Sequence, residues 1–405
     1  MTAPHHSTVQ KWVWRYGCAE LNSPKEQADD WIAIGDLTVS LGKMKVMAVL
    51  GVRSDKIMNN LAHDRAIGMD NDKNKTKTRS NLTLSHEDVE VLALAPCERS
   101  NWEFVNQTFE HAVEKVGGSF KAIVIDRGSD IKKGAKFFQQ SHLGTKIIHD
   151  ISHLLSNVME KILKDDPIWI AYLKDLTLTR HRVQVTEFAA LMPPTLQRDA
   201  RYMDISDIVY WSSKIADIRN SGNLDAIPEE RFNEYLGWLK KYEEPLAEVE
   251  IIVSIAEMIK EITREEWLSA GCYEYISSFL EETGIVKGKV KEFVEMALAL
   301  ILEETNKLGD DTILASTEVL ESIFGKYKLI NSGSGQGVSG NVLGMCIFAG
   351  SKLTEEKVLT NLETCSTQSV KDWVVNKVGE TIGRLRKRFF KKTKIDEKNK
   401  AMKMA

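Results

Sequence analysis

The sequence predicts an α/β protein with a mixed five-stranded sheet that is flanked by helices and interrupted by a large all-helical insertion. Two observations lead to this fold class. Between residues 30 and 164, three short β-type apolar runs come in succession, and further runs then alternate with amphipathic helices. This order requires both antiparallel and parallel strand pairs. Between residues 165 and 310, helical periodicity recurs without a convincing strand.

The composition limits the classes of function. The chain has 405 residues and a net charge of 54 − 58 = −4, so any contact with nucleic acid must come from local basic patches. The five cysteines are scattered and form no CxxC pair, which argues against a disulfide framework or a zinc finger. No apolar stretch reaches about 18 residues and no signal-peptide pattern opens the chain, so we expect a soluble cytoplasmic protein.

The first three predicted strands lie close together in the chain. The runs WIAIGDLTV and KMKVMAVLGV are joined by the glycine-containing segment SLGK, which favours a hairpin. The polar stretch from Arg65 to Ser85 is typical of a loop. The run VEVLALAP is predicted to be a third strand that stops at Pro96, because proline lacks the N–H that a strand ladder uses.

Helices and strands then alternate. Asn101 is a candidate N-cap for the helix WEFVNQTFEHAVEKV, which Gly117 and Gly118 end. The strand KAIVID, the helix IKKGAKFFQQSH, the strand KIIHD and the helix ISHLLSNVMEKILK follow. The resulting order, βββαβαβα, is that of an RNase H-like domain.

The remaining chain is predicted to be mostly helical. We interpret the tryptophans of the insertion as core residues, with stacking of one or two on an unpaired base as the alternative; they are Trp169, Trp211, Trp238 and Trp267. The later segment NSGSGQGVSGN is predicted to be a loop. It lacks the lysine and the strand-to-helix setting of a phosphate-binding loop.

Three acidic residues stand where metal-binding carboxylates would be useful. Asp36 lies midway along the first predicted strand and Asp126 ends the fourth, so they can face each other if these strands are neighbours. Glu321 lies in the helix STEVLESIFGKYK, for which Ser316 is a candidate N-cap, and Lys328 follows two turns later on the same face. Carboxylates are the hard ligands that Mg²⁺ prefers, and two such ions can promote in-line phosphoryl displacement.

Each acid also has a simpler interpretation as a solvated strand, turn or helix residue. Asp130 replaces Asp126 if the fourth strand ends later, and Asp150 ends its own strand beside His149 and His153. For this last cluster three roles stay open. They are a zinc site, a contact with DNA or support of metal ligands, and a structural cap of the following helix.

Two terminal segments suggest contact with DNA. Between residues 384 and 400, nine Lys or Arg residues stand against two acids, and this segment includes Arg384, Arg386, Lys387 and Arg388. It either follows DNA phosphates or is a solvated tail. At the other end, STVQKWVWRYG resembles the last helix of a helix-turn-helix, so most of a DNA-binding domain would be missing.

Residues 30–164 and 311–330 resemble the DDE transposases of bacterial insertion sequences, within the RNase H-like or retroviral-integrase superfamily, whereas the insertion and the C-terminus match only in position. The matching stretches are WIAIGDLTVSLGKMKVMAVLGV, KAIVIDRGSDIKKGAKFF, KIIHDISHLLSNVMEKIL and STEVLESIFGKYK. The resemblance implies that Asp36, Asp126 and Glu321 form a catalytic triad that binds two Mg²⁺ ions, for which Mn²⁺ can substitute. It implies that Lys328 touches the DNA end.

The same resemblance implies an activity and a domain plan. The activity is cleavage and strand transfer of double-stranded DNA at transposon ends, by a nucleoid-associated protein that is at least dimeric on DNA. The segments are a helix-turn-helix remnant (1–29), the first part of the catalytic core (30–164), the helical insertion (165–310), the core helix that carries the Glu (311–330) and a C-terminal helical region with a basic tail (331–405). The alternatives are a non-catalytic DNA-binding or regulatory relic of a truncated transposase, and a structure-selective nuclease of the same superfamily.

Overall fold

A computed structural model describes residues 3–39, 43–68, 79–195, 202, 205–222, 228–284, 288–331, 337–350 and 352–390. Within these residues the chain forms two compact units, one from residues 1–150 and 313–405 and the other from residues 151–312. The first unit contains the sheet, and the described part of the second is helical.

The sheet of the first unit has five strands. They are β1 (Trp31–Val39), β2 (Lys45–Arg53), β3 (Val89–Cys97), β4 (Ala122–Ile125) and β5 (Lys146–His149). Their order across the sheet is β3-β2-β1-β4-β5. β2 is antiparallel to both β1 and β3, whereas β4 is parallel to both β1 and β5. The predicted mixed five-stranded sheet is therefore confirmed.

The helices account for most of the remaining described chain. In chain order they are α1 (His6–Asn22), α2 (Ser54–Gly68), α3 (Trp102–Glu114), α4 (Ser129–Ser141), α5 (Ile151–Leu163), α6 (Pro167–Val183), α7 (Ile205–Ser221), α8 (Glu229–Leu236), α9 (Glu243–Glu265), α10 (Ala270–Glu282), α11 (Gly288–Thr305), α12 (Glu318–Asn331), α13 (Met345–Phe348), α14 (Glu355–Thr364) and α15 (Thr367–Trp373). Residues 382–390 are also helical. No described helix is long and apolar enough to cross a membrane.

Two local predictions need correction. The stretch predicted to be a loop from Arg65 begins inside α2, and residues 69–78 of that stretch lie outside the described residues. β3 continues through Pro96, which pairs with Val46, to Cys97. β3 is an edge strand, so a residue without an N–H is tolerated there. The hairpin pairing of β1 with β2 is confirmed, although residues 40–42 of its turn are not described.

One face of the sheet packs against α3 and α4. Asn101 caps α3 as predicted, because its side chain accepts a hydrogen bond from the backbone N–H of Phe104 at 2.9 Å. Alternate residues of the strands join apolar residues of both helices in one buried cluster; the strand members are Trp31, Ala33, Met47, Val49, Leu92, Ala93, Ile123, Ile125 and Ile147. The residues between them point to the opposite face, since side chains alternate along a strand.

The helix predicted as a helix-turn-helix remnant is α1, and it belongs to the sheet-containing unit. It contacts β3, α13, α14 and α15, and it buries Tyr16, Cys18 and Leu21. The indole N–H of Trp14 donates to the side-chain oxygen of Asn341 at 3.0 Å. A DNA-binding ancestry for this helix stays a prediction.

The second unit includes α5, which the sequence analysis assigned to the first part of the core. Its helices α5, α9 and α11 contact one another. Trp169 and Trp267 are buried in it, as expected of core residues, whereas Trp211 and Trp238 are half-buried. The alternative of base stacking by one or two of these rings stays a prediction.

A lysine just after α3 gives the first unit a testable response to pH. Lys115 Nζ donates to the carbonyl oxygens of Leu21 and Leu92 at 2.8 and 2.7 Å. Burial, helped by the positive charge of Lys25, lowers the pKa of Lys115 to about 8. An unfolded lysine has a pKa of about 10.4. Between these two values the unfolded chain binds more protons than the folded chain does.

We therefore expect the buried ammonium of Lys115 to lower the free energy of unfolding below about pH 8. This loss of stability should disappear as the pH rises towards about 10.4. Lys115→Met lacks the ammonium, so its stability should not rise with pH for this reason. The measurement is the urea midpoint of both proteins at about pH 7.5 and about pH 9.5. The wild type should gain stability relative to the variant at the higher pH, and an equal change in both would contradict the prediction.

Candidate active site

Three acidic residues directly follow the last register pairs of the parallel strands β1, β4 and β5. The register pairs Gly35 of β1 with Ile125 of β4, and Ile125 with His149 of β5. The next residue in each strand direction is an aspartate, namely Asp36, Asp126 and Asp150. The N–H of Asp150 donates to the carbonyl of Ile125 at 2.9 Å, so the ladder extends to this residue. Neighbouring strands of a sheet lie about 4.8 Å apart.

All three side chains belong to the sheet face opposite α3 and α4. Gly35 and Ile125 belong to the other face, where a Cβ on Gly35 would lie 2.7 Å from Cζ of Phe109. Alternation then puts the following residues on the opposite face. We name Asp36, Asp126 and Asp150 the strand-end row.

The helix that carries Glu321 lies over this row. α12 contacts β1, and Glu321 is in its first turn. One carboxylate oxygen of Asp150, Oδ2, accepts hydrogen bonds from the backbone N–H of Thr317 at 2.6 Å and from its hydroxyl at 2.9 Å. The start of α12 is thus bonded directly to one member of the strand-end row.

The four acids differ in exposure. Asp36, Asp126 and Glu321 are half-buried, whereas Asp150 is only 1% exposed. The first three can therefore meet a dissolved ion or a DNA phosphate, and Asp150 has little access to either.

Each half-buried acid has a local hydrogen bond. Asp36 Oδ1 accepts from the N–H of Leu37 at 2.6 Å, and Asp126 Oδ1 accepts from the N–H of Gly128 at 2.9 Å. Glu321 Oε1 lies 3.3 Å from the hydroxyl of Thr317. Within the described residues, no three His, Cys, Asp or Glu side chains are grouped so that they could hold a metal ion.

The competing acid Asp130 is not at the end of a strand. β4 ends at Ile125, and Asp130 lies in the first turn of α4, where its carboxylate accepts from Ser100 Oγ at 3.3 Å. Asp130 was to replace Asp126 only if the fourth strand ended later, and β4 does not extend that far. Asp126, not Asp130, directly follows β4.

The N-cap of α12 is Thr317, not Ser316. The carbonyl of Thr317 accepts from the N–H of Glu321 at 3.1 Å, which is the first hydrogen bond of the helix. Ser316 Oγ accepts from the N–H of Glu318 at 3.2 Å and so supports the same turn from one residue earlier. Serine and threonine are both common N-cap residues, and helix ends are uncertain by one or two positions, so the sequence alone could not decide between Ser316 and Thr317.

The boundary between the two units falls within the sequence cluster of His149, Asp150 and His153. His149 ends β5 and Asp150 follows it in the sheet-containing unit, whereas His153 belongs to α5 of the other unit. The bond from Asp150 to Thr317 was not predicted. The only signal in the sequence was an acid that follows a strand, in the same position as Asp126.

A histidine that was not among the predicted site residues, His86, also contacts α12. His86 Nε2 lies 3.0 Å from Ser322 Oγ, and Lys326 Nζ donates to His86 Nδ1 at 2.8 Å. Burial and the charge of Lys326 both lower the pKa of His86, which favours the neutral ring that can accept this bond. His86 thereby supports α12 one residue beyond Glu321.

The predicted DNA-binding residues are exposed. Lys328 is on α12, two turns after Glu321. The four basic residues Arg384, Arg386, Lys387 and Arg388 lie in the helical segment 382–390, where Phe389 and Phe390 are 63% and 68% exposed. Arg388 forms an ion pair with Glu380 at 2.8 Å. The rest of the predicted basic tail lies outside the described residues.

No protein-family model matches this chain, and no curated protein is significantly similar to it.

Proposed function

We propose that this chain is a DDE transposase, which cleaves DNA at transposon ends and joins the released 3′ ends to target DNA. The observation that carries the proposal is the strand-end row. Asp36 and Asp126 directly follow a register pair of adjacent parallel strands, and the helix of Glu321 contacts β1. The strand order β3-β2-β1-β4-β5 and the insertion between Asp126 and Glu321 support an RNase H-like core of this type.

Divalent Mg²⁺, or Mn²⁺ in its place, takes ligands of this chemical type, although the three side chains are not grouped around one point in the described residues. Asp36, Asp126 and Glu321 offer carboxylate oxygens, which are hard ligands, and all three are half-exposed. Bound between these carboxylates, two metal ions would activate the attacking oxygen and stabilise the leaving oxygen of an in-line displacement at phosphorus. Cleavage and strand transfer are both displacements of this kind, so one site can serve both.

The protein's own residues hold this site in place and orient the DNA. The bonds from the backbone N–H groups of Leu37 and Gly128 orient the carboxylates of Asp36 and Asp126. Lys328 is exposed on the face of α12 that Glu321 occupies, where its ammonium can bind a DNA phosphate. The four exposed basic residues of segment 382–390 can follow the DNA backbone further from the site.

The test is a nicking and strand-transfer assay on duplex oligonucleotides from the DNA that flanks the gene, with Mg²⁺ and with EDTA. We expect the wild type to nick only with the metal. Asp36→Asn and Glu321→Gln should each lose activity by at least about 100-fold, because each removes several kcal/mol of metal binding and charge stabilisation. Glu318→Gln, in the same turn of α12, is the matched control and should retain activity.

DNA binding is measured in parallel by fluorescence anisotropy. A wild type that binds the duplex but leaves it intact at every metal concentration would overturn the proposal. That outcome would favour the alternative of a DNA-binding relic without catalysis. Nicking of branched substrates alone, without any strand transfer, would favour a structure-selective nuclease.

A further inference from the structure

A cavity of about 370 Å³ borders the edge strand β3 in the sheet-containing unit. Three consecutive strand residues line it, namely Ala93, Leu94 and Ala95. Consecutive side chains of a strand point to opposite faces, so the cavity follows the strand edge. Its other walls come from the end of α1, from α3 and from the segment 373–377, and its volume is in the range of small-molecule sites. We name it the edge cavity.

The charged side chains that line the edge cavity are basic. They are Lys115, Lys377 and, when it is protonated, His111, and no Asp or Glu occurs among the described lining residues. Burial lowers the pKa of His111, and the positive charges of Lys115 and Lys377 lower it further, so the three groups are close enough to repel one another. The carboxylate of Glu114 is 3.9 Å from the His111 ring, but its side chain is 76% exposed and does not line the cavity. The edge cavity therefore has a positive charge that its own walls do not balance.

The ammonium of Lys115 can donate one more hydrogen bond. It has three hydrogens, and Nζ donates to the carbonyl oxygens of Leu21 and Leu92 at 2.8 and 2.7 Å. Both acceptors are neutral, and no carboxylate pairs with this ammonium in the part of the chain that the structure describes. A partly buried charge is stabilised by an opposite charge that bonds to it. An anion in the edge cavity would provide that charge.

Aromatic side chains form the apolar part of the edge cavity. Phe104 of α3 and Trp373 at the end of α15 both line it and are half-buried. Trp373 is followed by a π-helical turn over residues 374–378, which includes the exposed Lys377. Turns of this kind are rare and are frequently found at functional sites. The edge cavity thus combines aromatic rings with basic groups.

We propose that the edge cavity binds a small organic anion that combines a flat ring with a carboxylate or a phosphate group. The acidic group pairs with Lys115 and Lys377. The ring packs against Trp373 and Phe104, since aromatic rings pack favourably on one another. This site shares no residue with the strand-end row, and the proposal depends on neither metal nor DNA.

The test is a ligand-observed NMR titration of the full chain with two matched pairs of probes. Benzoate is compared with neutral benzamide, and AMP is compared with neutral adenosine. We expect at least one anion to bind at least about 10-fold more tightly than its neutral partner, because it forms hydrogen bonds between charged groups. The pair that shows this preference identifies the acidic group as a carboxylate or a phosphate. If neither anion is preferred, the proposal is overturned.

A pair of lysine variants locates the binding site. Lys377→Gln removes an exposed charge that lines the edge cavity, so we expect the fold to persist and anion binding to weaken by about 5-fold. Lys371→Gln is the matched control, because Lys371 is an exposed lysine of α15 that does not line the cavity. Its affinity should stay within about 2-fold of the wild type. Equal losses in both variants would indicate a general effect of charge and would overturn the site.

Two further variants test the ring and the buried charge. Trp373→Leu keeps an apolar side chain but removes the ring, and it should weaken binding of the anion by about 5-fold. Lys115→Gln removes the charge but keeps a group that can donate to the two carbonyls, and it should weaken binding by about 10-fold. Circular dichroism checks the fold of each variant. If Lys115→Gln does not fold, the variants at Lys377 and Trp373 still decide, and unchanged affinity in both would overturn the site.

The same titration separates this proposal from the proposed function. Asp126→Asn should bind the anion as the wild type does, because Asp126 does not line the edge cavity. Loss of anion binding in this variant would place the anion elsewhere and overturn the assignment to the edge cavity. A wild type that prefers neither anion would leave the nicking assay unaffected, and a wild type that binds the anion without nicking DNA would support the edge cavity alone.

Discussion

Asp126→Asn is expected to lower the rate of metal-dependent nicking by at least about 1,000-fold, the largest effect of any single substitution in the site. Asp126 lies in the middle of the strand-end row, between Asp36 and Asp150. Asparagine keeps the size and the oxygen that accepts from the N–H of Gly128, but it removes the negative charge. The fold should persist while the affinity for divalent cations falls. The measurement is the single-turnover nicking rate against Mg²⁺ concentration.

Asp130→Asn is the matched control for this substitution. Asp130 is four residues later, in the first turn of α4, and its carboxylate bonds to Ser100 rather than to the strand-end row. We expect its nicking rate to stay within about 2-fold of the wild type, because a half-exposed helix residue contributes little. Equal losses in Asp126→Asn and Asp130→Asn would show that the site does not depend on the strand-end position, contrary to the proposal.

Gly17→Ala is expected to destabilise the sheet-containing unit by about 3 kcal/mol or more. Gly17 is a buried residue of α1, and a Cβ there would lie 2.0 Å from the carbonyl oxygen of Leu343. Leu343 is itself fully buried in a 3₁₀ turn, so the backbone cannot retreat without disturbing the packing of α1. The measurement is urea unfolding of the full chain, followed by tryptophan fluorescence and circular dichroism.

Gly325→Ala supplies the control for Gly17→Ala. Gly325 also lies inside a helix, α12, but a Cβ there would meet no atom within 4 Å. We expect this substitution to stabilise the protein by about 0.5–1 kcal/mol, since alanine favours the helix more than glycine does. If Gly17→Ala unfolds no more easily than Gly325→Ala, then α1 is dispensable to the unit, as a detached remnant would be.

These results would give the N-terminal helix a structural role in the first unit. α1 contributes buried side chains and a close backbone approach to the turn at Leu343. A function in DNA recognition would have to use its exposed residues, such as Trp12, which is 41% exposed. The two roles use different faces of one helix and are compatible.

Much of the fold could be predicted from the sequence because its signals are local. The strands of the sheet are short, nearly continuous apolar runs, and α3, α4 and the helices of the second unit repeat apolar residues with a period near 3.6. Asp36 and Asp126 were assigned to their strands on this basis, and the register makes them neighbours. α2 was missed because its sequence, SDKIMNNLAHDRAIG, has no strong apolar face and runs into a polar stretch.

The sequence by itself determined the local structure, namely the strands, most of the helices and the position of each acid within them. Only the tertiary structure decided which distant residues meet. It brought Asp150 next to the other members of the strand-end row, bonded it to Thr317, and made α1 part of the sheet-containing unit. The physical reason is that periodicity reports which face of an element is buried, whereas a hydrogen bond across 167 residues depends on how whole elements pack.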